Sequence, residues 1–504
     1  MKNNATVLIL LTAALLSAVS CGSTENSTEK TKDTPETQAD NLAVQTEETA
    51  PVYLDSLPAG LDLGGKAVNF LYRDEVKEEF YADTDSGDIV NDAINASIRS
   101  VEERLNTDIV LIAKAGHLVD ARDGYMNDIT NSVLAGDHLY DWVDLMIGNS
   151  PLRAQDGIFA NLLENPRIDL SQPWYIPGLA DTVSINGQLY FVSGDASLGY
   201  MKCAYCMYFN KSIAEQYDLT DLYETVKSGK WTLEKLMEYA SLTSRDLDNN
   251  GKYDLSDQLG FVDHDLNHPK GFIRSCDINV FAKDADGAWY FSLGSSRDQS
   301  VMEKLHTLKA ETPGSYFYNG TNAVKGQLDD YGKISSMFCT DQIFIISAEM
   351  DDAVSQFREM KAAYGILPFP KFEEAQSAYY TISRNTHNAF SMPTTCADPE
   401  AAGAVLEALS SSNYQKVFPT YFETAMKNKY ASAPEDSEIF DLIHGSMVLD
   451  FGYIYSNAIG GIYDATRDVM DKPGNFASFV TSKTKSVTKE LDKYVQKIIE
   501  NSEN

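Results

Sequence analysis

Apolar positions recur with two different spacings over residues 66–146, and the two spacings alternate along the chain. KAVNFLYR (Lys66–Arg73), TDIVLIAK and YDWVDLMI are short apolar runs, and runs of this kind predict strands. Ile89, Ile94 and Ile98 recur at helical spacing after the first run, and YMNDITNSVLAG predicts a second helix after the second run. Strands that alternate with helices predict a parallel sheet with right-handed crossovers and helices on both faces.

The pattern becomes less regular after residue 150. ANLLENPRIDLSQPWYIPGL is rich in proline and predicts an irregular, exposed connection, whereas the stretch from about Pro399 onward is predicted to be mainly helical. Trp231 leads a predicted helix in GKWTLEKLMEYA, where we expect it to be a packing anchor. Further strands are predicted in QLYFVSG, CAYCMYFN, AWYFS, ISSMFCTDQIFIIS and YGILPFPK. The roughly 450 residues after the polar N-terminal stretch are more than one ordinary hydrophobic core accommodates, so two lobes are expected.

The first 20 residues have the layout of a secretory signal peptide. Lys2 precedes the apolar run VLILLTAALLSAV, which is short for a membrane span, and Cys21 follows small residues. That arrangement resembles a bacterial lipobox, so Cys21 is predicted to carry a lipid and to become the mature N-terminus. The alternative is an ordinary signal peptide with a cysteine nearby. Residues 21–57 are predicted to form a flexible tether, because this mostly polar segment buries too little apolar surface to offset the entropy of ordering.

The chain is strongly acidic, with a formal net charge of −33 at pH 7. Binding to nucleic-acid phosphates requires the opposite sign of charge, so nucleic acid is excluded as a partner. A large negative charge is typical of a soluble, secreted surface protein and carries no information about the fold.

The stretch DLDNNGKYDLSD has the spacing of an EF-hand-type calcium loop, with Gly251 at the sharp turn at position six. Position twelve is Asp rather than the bidentate Glu of a full EF-hand, which predicts weaker capture of the ion. No second loop of this kind is found, which argues against a paired calcium sensor. The alternative is an Asx-rich turn without metal. The predicted calcium ligands are Asp246, Asp248, Asn250, Lys252, Asp254 and Asp257.

Five stretches, taken in their order along the chain, resemble a known family. They are VLAGDHLYDWVDL, NLLENPRIDLSQPWY, MYFNKSIAEQYDL, GKWTLEKLMEYA and YGILPFPK. The chain is similar to extracellular solute-binding lipoproteins, family 1, which serve sugar-type ABC importers, and the resemblance spans about residues 66–430. It implies an α/β, bilobal periplasmic-binding-protein-like fold with hinge connections and a helical C-terminal region. It also implies that the calcium-type loop braces a lobe.

The resemblance implies a domain organisation, a ligand and a partner. The bilobal domain would span residues 58–504, with a first lobe of 65–195 plus 336–395 and a second lobe of 196–335 plus 396–504. A carbohydrate would be held in the cleft between the lobes and delivered to an ABC permease. The protein would be a monomer at the cell surface, anchored by lipid to the outer face of the cytoplasmic membrane of a Gram-positive type of cell.

Sugars are bound by aromatic platforms and by carboxylate, amide and arginine hydrogen bonds. Loops at the carboxyl ends of parallel strands are where such residues are expected. Weaker candidates are Arg384, Tyr453 and Tyr455. The predicted ligand-binding residues are Arg73, Asp74, Trp174, Tyr175, Asp195, Asp341, Gln342 and Tyr380.

Catalysis is not expected from this sequence. The motifs G-x-S-x-G and HExxH and a phosphate-binding glycine loop do not occur in it. His264 and His268 are four residues apart, but Pro269 and the polar residues around them predict a loop rather than a metal-binding helix. Two alternatives to transport stay open, namely a secreted carbohydrate-active enzyme braced by calcium and a surface glycan-binding protein without a transporter.

Overall fold

The computed structural model describes residues 54–81, 87–318, 330–358, 360–423 and 434–503. These residues all belong to one compact unit, Tyr53–Asn504. The predicted signal peptide, Cys21 and nearly all of the predicted tether lie outside the described residues. At the end of the predicted tether, Asp55 pairs with Arg104 at 2.5 Å and Leu57 is buried, so the folded unit includes both.

The strands of the described chain form two larger sheets and one hairpin. In chain order they are β1 (Lys66–Arg73), β2 (Thr107–Lys114), β3 (Trp142–Met146), β4 (Tyr205–Asn210), β5 (Leu259–His264), β6 (Phe281–Lys283), β7 (Trp289–Phe291), β8 (Ser315–Tyr318), β9 (Ile343–Glu349), β10 (Tyr364–Leu367) and β11 (Asn388–Ser391).

Helices cover both sheets and make up the C-terminal region. In chain order they are α1 (Ile89–Leu105), α2 (Arg122–Ala135), α3 (Ser150–Ala154), α4 (Leu179–Val183), α5 (Gly199–Lys202), α6 (Lys211–Gln216), α7 (Leu222–Lys227), α8 (Leu233–Thr243), α9 (Pro269–Ser275), α10 (Ser296–His306), α11 (Asp330–Cys339), α12 (Asp352–Ser355), α13 (Pro399–Pro419), α14 (Pro434–Gly445), α15 (Phe451–Tyr455), α16 (Ile462–Asp471) and α17 (Phe476–Ser502). Among the described residues, no helix is both long enough and apolar enough to cross a bilayer.

The first sheet has the strand order β11-β3-β1-β2. β1 runs parallel to β2 and β3, as predicted, while β11 is antiparallel to β3 and pairs Phe390 with Asp144. Helix α1 begins at a cap in which Asp88 accepts hydrogen bonds from the backbone N–H groups of Val90 and Asn91. α13 covers the same sheet, because Trp142 donates its indole N–H to the Ala402 carbonyl at 2.9 Å.

The second sheet has the strand order β10-β4-β9-β5-β8. β5 runs parallel to both β8 and β9, whereas β4 is antiparallel to β9 and β10. Helix α8 packs against this sheet, and Thr232 caps it by accepting from the Lys235 N–H. Trp231, just before it, is fully buried and donates to the Pro368 carbonyl at 2.8 Å, which confirms the predicted packing anchor.

Strand pairing divides the chain differently from the expected lobe boundaries. β9 and β10 belong to the second sheet, although residues 336–395 were assigned to the first lobe. α13 packs on α1 of the first lobe, although residues 396–504 were assigned to the second. Apolar periodicity identifies a strand but not the sheet it joins, and the antiparallel partners of β9 and β11 carry no local signature.

Two local predictions of secondary structure were wrong. SSMFC lies in helix α11 rather than in a strand, since its apolar residues Ile334, Met337 and Phe338 recur at helical spacing and are buried. QLYFVSG forms isolated bridges, such as that between Val192 and Phe390, instead of a strand. The remaining predicted strands of the first lobe, Lys66–Arg73, Thr107–Lys114 and Trp142–Met146, are confirmed.

Candidate functional site

The two sheets are joined by a short segment, residues 383–388, which we call the crossing segment. At its start, Ser383 bridges to Ala204 and the Arg384 N–H donates to the Cys203 carbonyl, just before β4 of the second sheet. At its end, the His387 carbonyl accepts from the Ile147 N–H after β3, and Asn388 begins β11 of the first sheet. The crossing segment is therefore one of the places where a change in the angle between the sheets would act.

The carboxyl ends of strands from both sheets meet at the crossing segment. Arg73, the last residue of β1, donates from Nη1 to the Thr386 carbonyl at 3.1 Å. Glu349, the last residue of β9, accepts from Arg384 Nη1 at 3.0 Å. Ligands of open α/β sheets bind at carboxyl ends of strands, so this junction is the candidate site.

Three cationic or titratable side chains lie on the first-sheet side, and Arg384 of the crossing segment lies near them. We call these four the arginine–histidine cluster: Arg73, His117, Arg122 and Arg384. Arg73 donates from Nη1 to Nδ1 of His117 at 3.1 Å, and Arg122 donates from Nε to the His117 carbonyl at 2.8 Å. Burial lowers the pKa of His117 to about 4, and the charges of Arg73, Arg384 and Arg122 act in the same direction. His117 is therefore neutral at pH 7.

Aromatic and histidine side chains line the second-sheet side of the junction. The hydroxyls of Tyr205 and Tyr453 lie 3.0 Å apart, and the Tyr453 hydroxyl also accepts from the Asn385 N–H at 3.2 Å. His264, which ends β5, packs 5.6 Å from the ring of His268. Burial lowers the pKa of His264 to about 4, with the charge of Arg384 as the next cause. The charge of Arg384 therefore lowers the pKa of one histidine beside each sheet.

Burial and one lysine set the charge of the carboxyl groups near the crossing segment. Burial raises the pKa of Glu79 to about 7, although the charges of Lys202 and Arg73 oppose the shift. Lys202 pairs with Asp351 at 3.3 Å. Burial also raises the pKa of Asp195 to about 8. Asp195 is therefore mostly protonated at pH 7 and Glu79 only partly ionised, while Lys202 balances the charge of Asp351.

Two of the predicted ligand residues lie at the end of β1, as expected from the sequence. Arg73 belongs to the arginine–histidine cluster, but it is buried and its guanidinium is held by Asp144 at 2.9 Å. Asp74 is exposed in the first turn of the short 3-10 helix that follows. Asp195 lies in the second connection between the sheets, where its N–H donates to the Trp174 carbonyl at 2.8 Å.

Trp174 and Tyr175 do not form the exposed stacking platform that the sequence predicted. They are 1% and 3% exposed, respectively. Trp174 packs against Tyr414 of α13, and the Tyr175 hydroxyl donates to Glu407 at 2.7 Å. The proline-rich connection is thus packed against α13, which the sequence could not indicate because the two lie more than 200 residues apart.

Asp341 and Gln342 lie at the far end of β9 from Glu349. They precede the strand, and Asp341 accepts from Asn210 at 2.6 Å. A strand of this length spans about 20 Å, which separates both residues from the junction. Their predicted place in the cleft followed from reading SSMFC as a strand. Tyr380 is half-buried, with the Arg274 guanidinium 4.0 Å from its ring centroid.

Sequence reasoning missed His117, Arg122, Glu349 and Tyr205. Glu349 was detectable, since it ends an apolar strand as Arg73 does. The other three carry no such indication, because their meeting depends on the antiparallel pairing of β4 and on the fold of the loop after β2.

The acidic loop before β5 is folded around its carboxylates. Ligand oxygens of Asp246, Asp248 and Asp257 all lie within 4.8 Å of one another. Gly251 has φ +79°, and its N–H donates to Asp246 at 2.8 Å. Asp257 is fully buried and accepts from the N–H groups of Leu247 and Asp254 at 2.8 and 2.9 Å.

No protein-family model matches the chain, and no curated protein matches it. Solved structures are similar over most of its length. The galacto-N-biose-/lacto-N-biose I-binding protein of the ABC transporter from Bifidobacterium longum, in complex with lacto-N-biose, has a TM-score of 0.53 at 10% identity, covering 86% of this chain and 98% of that chain. A cyclo/maltodextrin-binding protein complexed with maltotetraose has a TM-score of 0.52 at 12% identity, covering 86% and 97%.

A third similar structure is the maltose/maltodextrin-binding domain from Bdellovibrio bacteriovorus bound to maltotriose. Its TM-score is 0.51 at 11% identity, and the match covers 85% of this chain and all of that chain. The chain has the bilobal periplasmic-binding-protein-like fold. The predicted fold class is therefore confirmed, and in this fold the crossing segment is a connection between the two lobes.

Proposed function

We propose that this protein is the binding component of an ABC importer, which captures a carbohydrate between its two lobes and delivers it to a membrane permease. One observation carries the proposal: the carboxyl ends of β1 and β9, from different sheets, meet at the crossing segment. The three similar structures, by their descriptions, bind lacto-N-biose, maltotetraose and maltotriose. An oligosaccharide is accordingly the proposed ligand.

The protein performs no chemistry in this proposal. A ligand between the lobes contacts both, so it stabilises the arrangement in which they are close together. The permease recognises that arrangement, and the transporter's ATPase supplies the energy. Arg384 is fixed to the second sheet, through its backbone bond to Cys203 and its side-chain bond to Glu349, while its charge also lowers the pKa of His117 beside the first sheet.

We further propose that Cys21 anchors the protein to the outer face of the cytoplasmic membrane in a Gram-positive type of cell. The sequence supports this through the signal-like run before Cys21 and the polar stretch after it. The protein acts as a monomer in this proposal. Substituting Cys21→Ala and following the protein between membrane and medium tests the anchor, since release into the medium is the expected result.

The loop 246–257 fits a structural calcium ion. Its donors are hard oxygen atoms, and three carboxylates that repel one another lie within 4.8 Å. In the EF-hand pattern, Asp246, Asp248 and Asn250 supply side chains and Lys252 its backbone carbonyl, while Asp254 acts through water and Asp257 closes the loop. A bound cation would offset this repulsion and hold α8 against β5, so its role is to brace the second lobe.

Thermal unfolding of the full-length protein against mono- and oligosaccharides, with calcium present, tests the main proposal. A ligand at a hundred times its dissociation constant adds about 2.7 kcal/mol to the free energy of unfolding, which raises the midpoint visibly. A raised midpoint with no product after hours of incubation supports a binding protein. Product formation would instead indicate the carbohydrate-active enzyme. Binding only to long immobilised glycans would indicate the surface glycan-binding protein.

A further inference from the structure

We propose that the carbohydrate bound at the crossing segment carries an anionic group, and that Arg122 binds this group. The inference rests on the proposed function and specifies the chemical class of its ligand. It is carried by a half-buried arginine beside the junction that makes no ion pair among the described residues and has two further arginines as charged neighbours.

Two acidic side chains at the junction are each paired with an arginine. Asp144 is held by Arg73 at 2.9 Å and Glu349 by Arg384 at 3.0 Å. Asp265, which follows β5, is held by Lys309 at 2.6 Å. The two arginine pairs are neutral overall, whereas Lys309 also pairs with Asp471 at 2.6 Å, so one negative charge remains in that group.

Arg122 is the cation that these pairs leave over. In the part of the chain that the structure describes, its guanidinium makes no ion pair, and its one hydrogen bond runs from Nε to the His117 carbonyl at 2.8 Å. Burial lowers the pKa of Arg122, and the charges of Arg73 and Arg384 lower it further. The charged neighbours that lower the pKa of Arg122 are therefore cations. Arg122 nevertheless keeps its positive charge, because an arginine stays protonated in proteins.

The donors near Arg122 are arranged for an acceptor. Nη1 and Nη2 of Arg122 have no partner among the described residues, and the side chain is half-buried rather than fully solvated. His117 accepts from Arg73 at Nδ1, so in the neutral ring the proton is on Nε2, which is a second donor. Arg384 uses only Nη1 for Glu349 and is 33% exposed, which leaves further donors.

Glu75 is the acidic residue that faces this cluster from the 3-10 helix after β1. Its carboxylate accepts from the backbone N–H groups of Gly116 and His117 at 3.0 and 3.2 Å, so it fastens the loop rather than pairing with Arg122. Its charge acts on His117 more weakly than those of the three arginines. Glu75 therefore offsets part of the positive charge of the cluster but leaves the terminal nitrogens of Arg122 without a partner among the described residues.

A neutral sugar would leave the charge of Arg122 without a partner, whereas a carboxylate, sulfate or phosphate group would pair with it. A guanidinium binds such groups through two parallel hydrogen bonds, which are stronger than bonds to hydroxyls. The protein carries a net charge of −33, so anions are repelled elsewhere on its surface. A local cationic site is then selective for an anionic group presented on a sugar.

Calorimetry with the full-length protein tests the inference. Each acidic probe is compared with its neutral counterpart. Galacturonic acid is paired with galactose, and glucuronic acid, glucose 6-phosphate and a sulfated glucose are each paired with glucose. The corresponding oligomers form further pairs. At least one acidic probe is expected to bind ten- to a hundred-fold more tightly than its neutral partner, and which probe it is identifies the anionic group. Added salt should weaken only the acidic probe.

Three variants separate the role of Arg122 from a general loss of charge. Arg122→Gln is expected to weaken the acidic probe about ten- to a hundred-fold and to leave its neutral partner unchanged. Arg122→Lys keeps the charge and retains part of the affinity, and it replaces Arg122→Gln as the test if that variant fails to fold. Arg99→Gln, at an exposed site on α1, is the control and should bind like the unaltered protein.

Three results would overturn the inference, and they differ in what they say about the proposed function. Tight binding of a neutral sugar with no gain for its acidic partner removes the anionic ligand and leaves carbohydrate capture intact. Failure of every carbohydrate, neutral or acidic, contradicts the proposed function as well. Acidic binding that Arg122→Gln does not weaken would show that Arg122 has no part in it.

Discussion

Arg73 donates two hydrogen bonds to Asp144, from Nε to Oδ2 at 2.9 Å and from Nη2 to Oδ1 at 3.1 Å, with both side chains 1% exposed. The pair joins the end of β1 to β3, and Asn388 of β11 donates to the same carboxylate at 2.8 Å. Three strands of the first sheet are thus fixed to one another directly beside the crossing segment.

Removing one partner of this pair is expected to be costly. Asp144→Ala leaves the Arg73 guanidinium buried without its counter-ion, which should lower the free energy of unfolding by about 3–5 kcal/mol. Urea unfolding measures the change. The control is Lys66→Ala, which breaks the exposed pair between Lys66 and Asp398 and should cost under about 1 kcal/mol. Equal losses in the two variants would contradict the assigned role of burial.

Trp231 is expected to anchor the second lobe. Trp231→Ala removes a fully buried indole and its hydrogen bond to Pro368, so unfolding should become easier by about 3–5 kcal/mol. Leu134→Ala, at a position that is 77% exposed, is the matched control and should change stability by less than about 0.5 kcal/mol. Denaturant unfolding of both variants measures the free energy of unfolding. A decrease below about 1 kcal/mol for Trp231→Ala would argue against its role as an anchor.

Asp263 is expected to make stability depend on pH. It is fully buried, neither carboxylate oxygen has a hydrogen-bond partner among the described residues, and burial raises its pKa to about 8. The carboxyl group ionises near pH 4 in the unfolded chain but only near pH 8 in the folded one. The folded state therefore binds the extra proton in this window, and the contribution of Asp263 to stability falls as pH rises from about 4 to about 8.

Asp263→Asn removes this ionisation, so the variant should gain stability relative to the unaltered protein as pH rises across the same window. Urea unfolding at pH 4, 6 and 8 measures the difference. Asp108→Asn, at an exposed position of β2, controls for the loss of one acidic side chain. A difference between Asp263→Asn and the unaltered protein that stays constant with pH would refute the prediction.

Calcium removal is expected to destabilise the second lobe. If the ion binds the loop 246–257, a chelator should lower the thermal midpoint and added Ca²⁺ should restore it. At a hundred times its dissociation constant, Ca²⁺ adds about 2.7 kcal/mol to the free energy of unfolding. Asp257→Asn should abolish this dependence, because Asp257 holds both ends of the loop. Asp284→Asn, in the exposed hairpin turn between β6 and β7, should keep it. A midpoint indifferent to chelator would count against a bound ion.

Arg384 is expected to matter for ligand binding more than for folding. Its side chain is 33% exposed at the junction, so Arg384→Ala should weaken carbohydrate binding about tenfold or more. The free energy of unfolding should fall less than in Asp144→Ala, because this pair is less buried than that of Arg73 and Asp144. Calorimetry gives the affinity, and Arg167→Ala, which breaks a surface pair with Glu400, is the control. Unchanged affinity for Arg384→Ala would remove the crossing segment from the site.

Local structure in this protein was largely readable from the sequence, and long-range pairing was not. Lys66–Arg73 and Ile89–Leu105 were predicted because their apolar residues repeat with the period of a strand and of a helix. The calcium-type loop was found because its residues follow one another in the chain. The burial of Trp174 depends on α13, and no pattern around Trp174 contains that information.

The candidate site shows the same limit more sharply. Arg73 was found because it ends an apolar strand, whereas Arg122 begins a helix and would be taken for an ordinary surface residue. Asp341 was misplaced because one helix was read as a strand, which reversed the end of β9 that faces the junction. A site built from the ends of several elements requires the topology before its residues can be chosen.

The pairing of β11 with β3 sets the order in which the protein can be completed during synthesis. Asn388 reaches Asp144 across 244 residues, and the whole second sheet is encoded between the two. A growing chain cannot close its first sheet until β11 has left the ribosome, so the edge of β3 stays unpaired through most of translation. Such late, distant contacts slow folding and expose strand edges to other chains. The delay keeps the chain unfolded through most of its synthesis, which is the state that the proposed export to the cell surface would require.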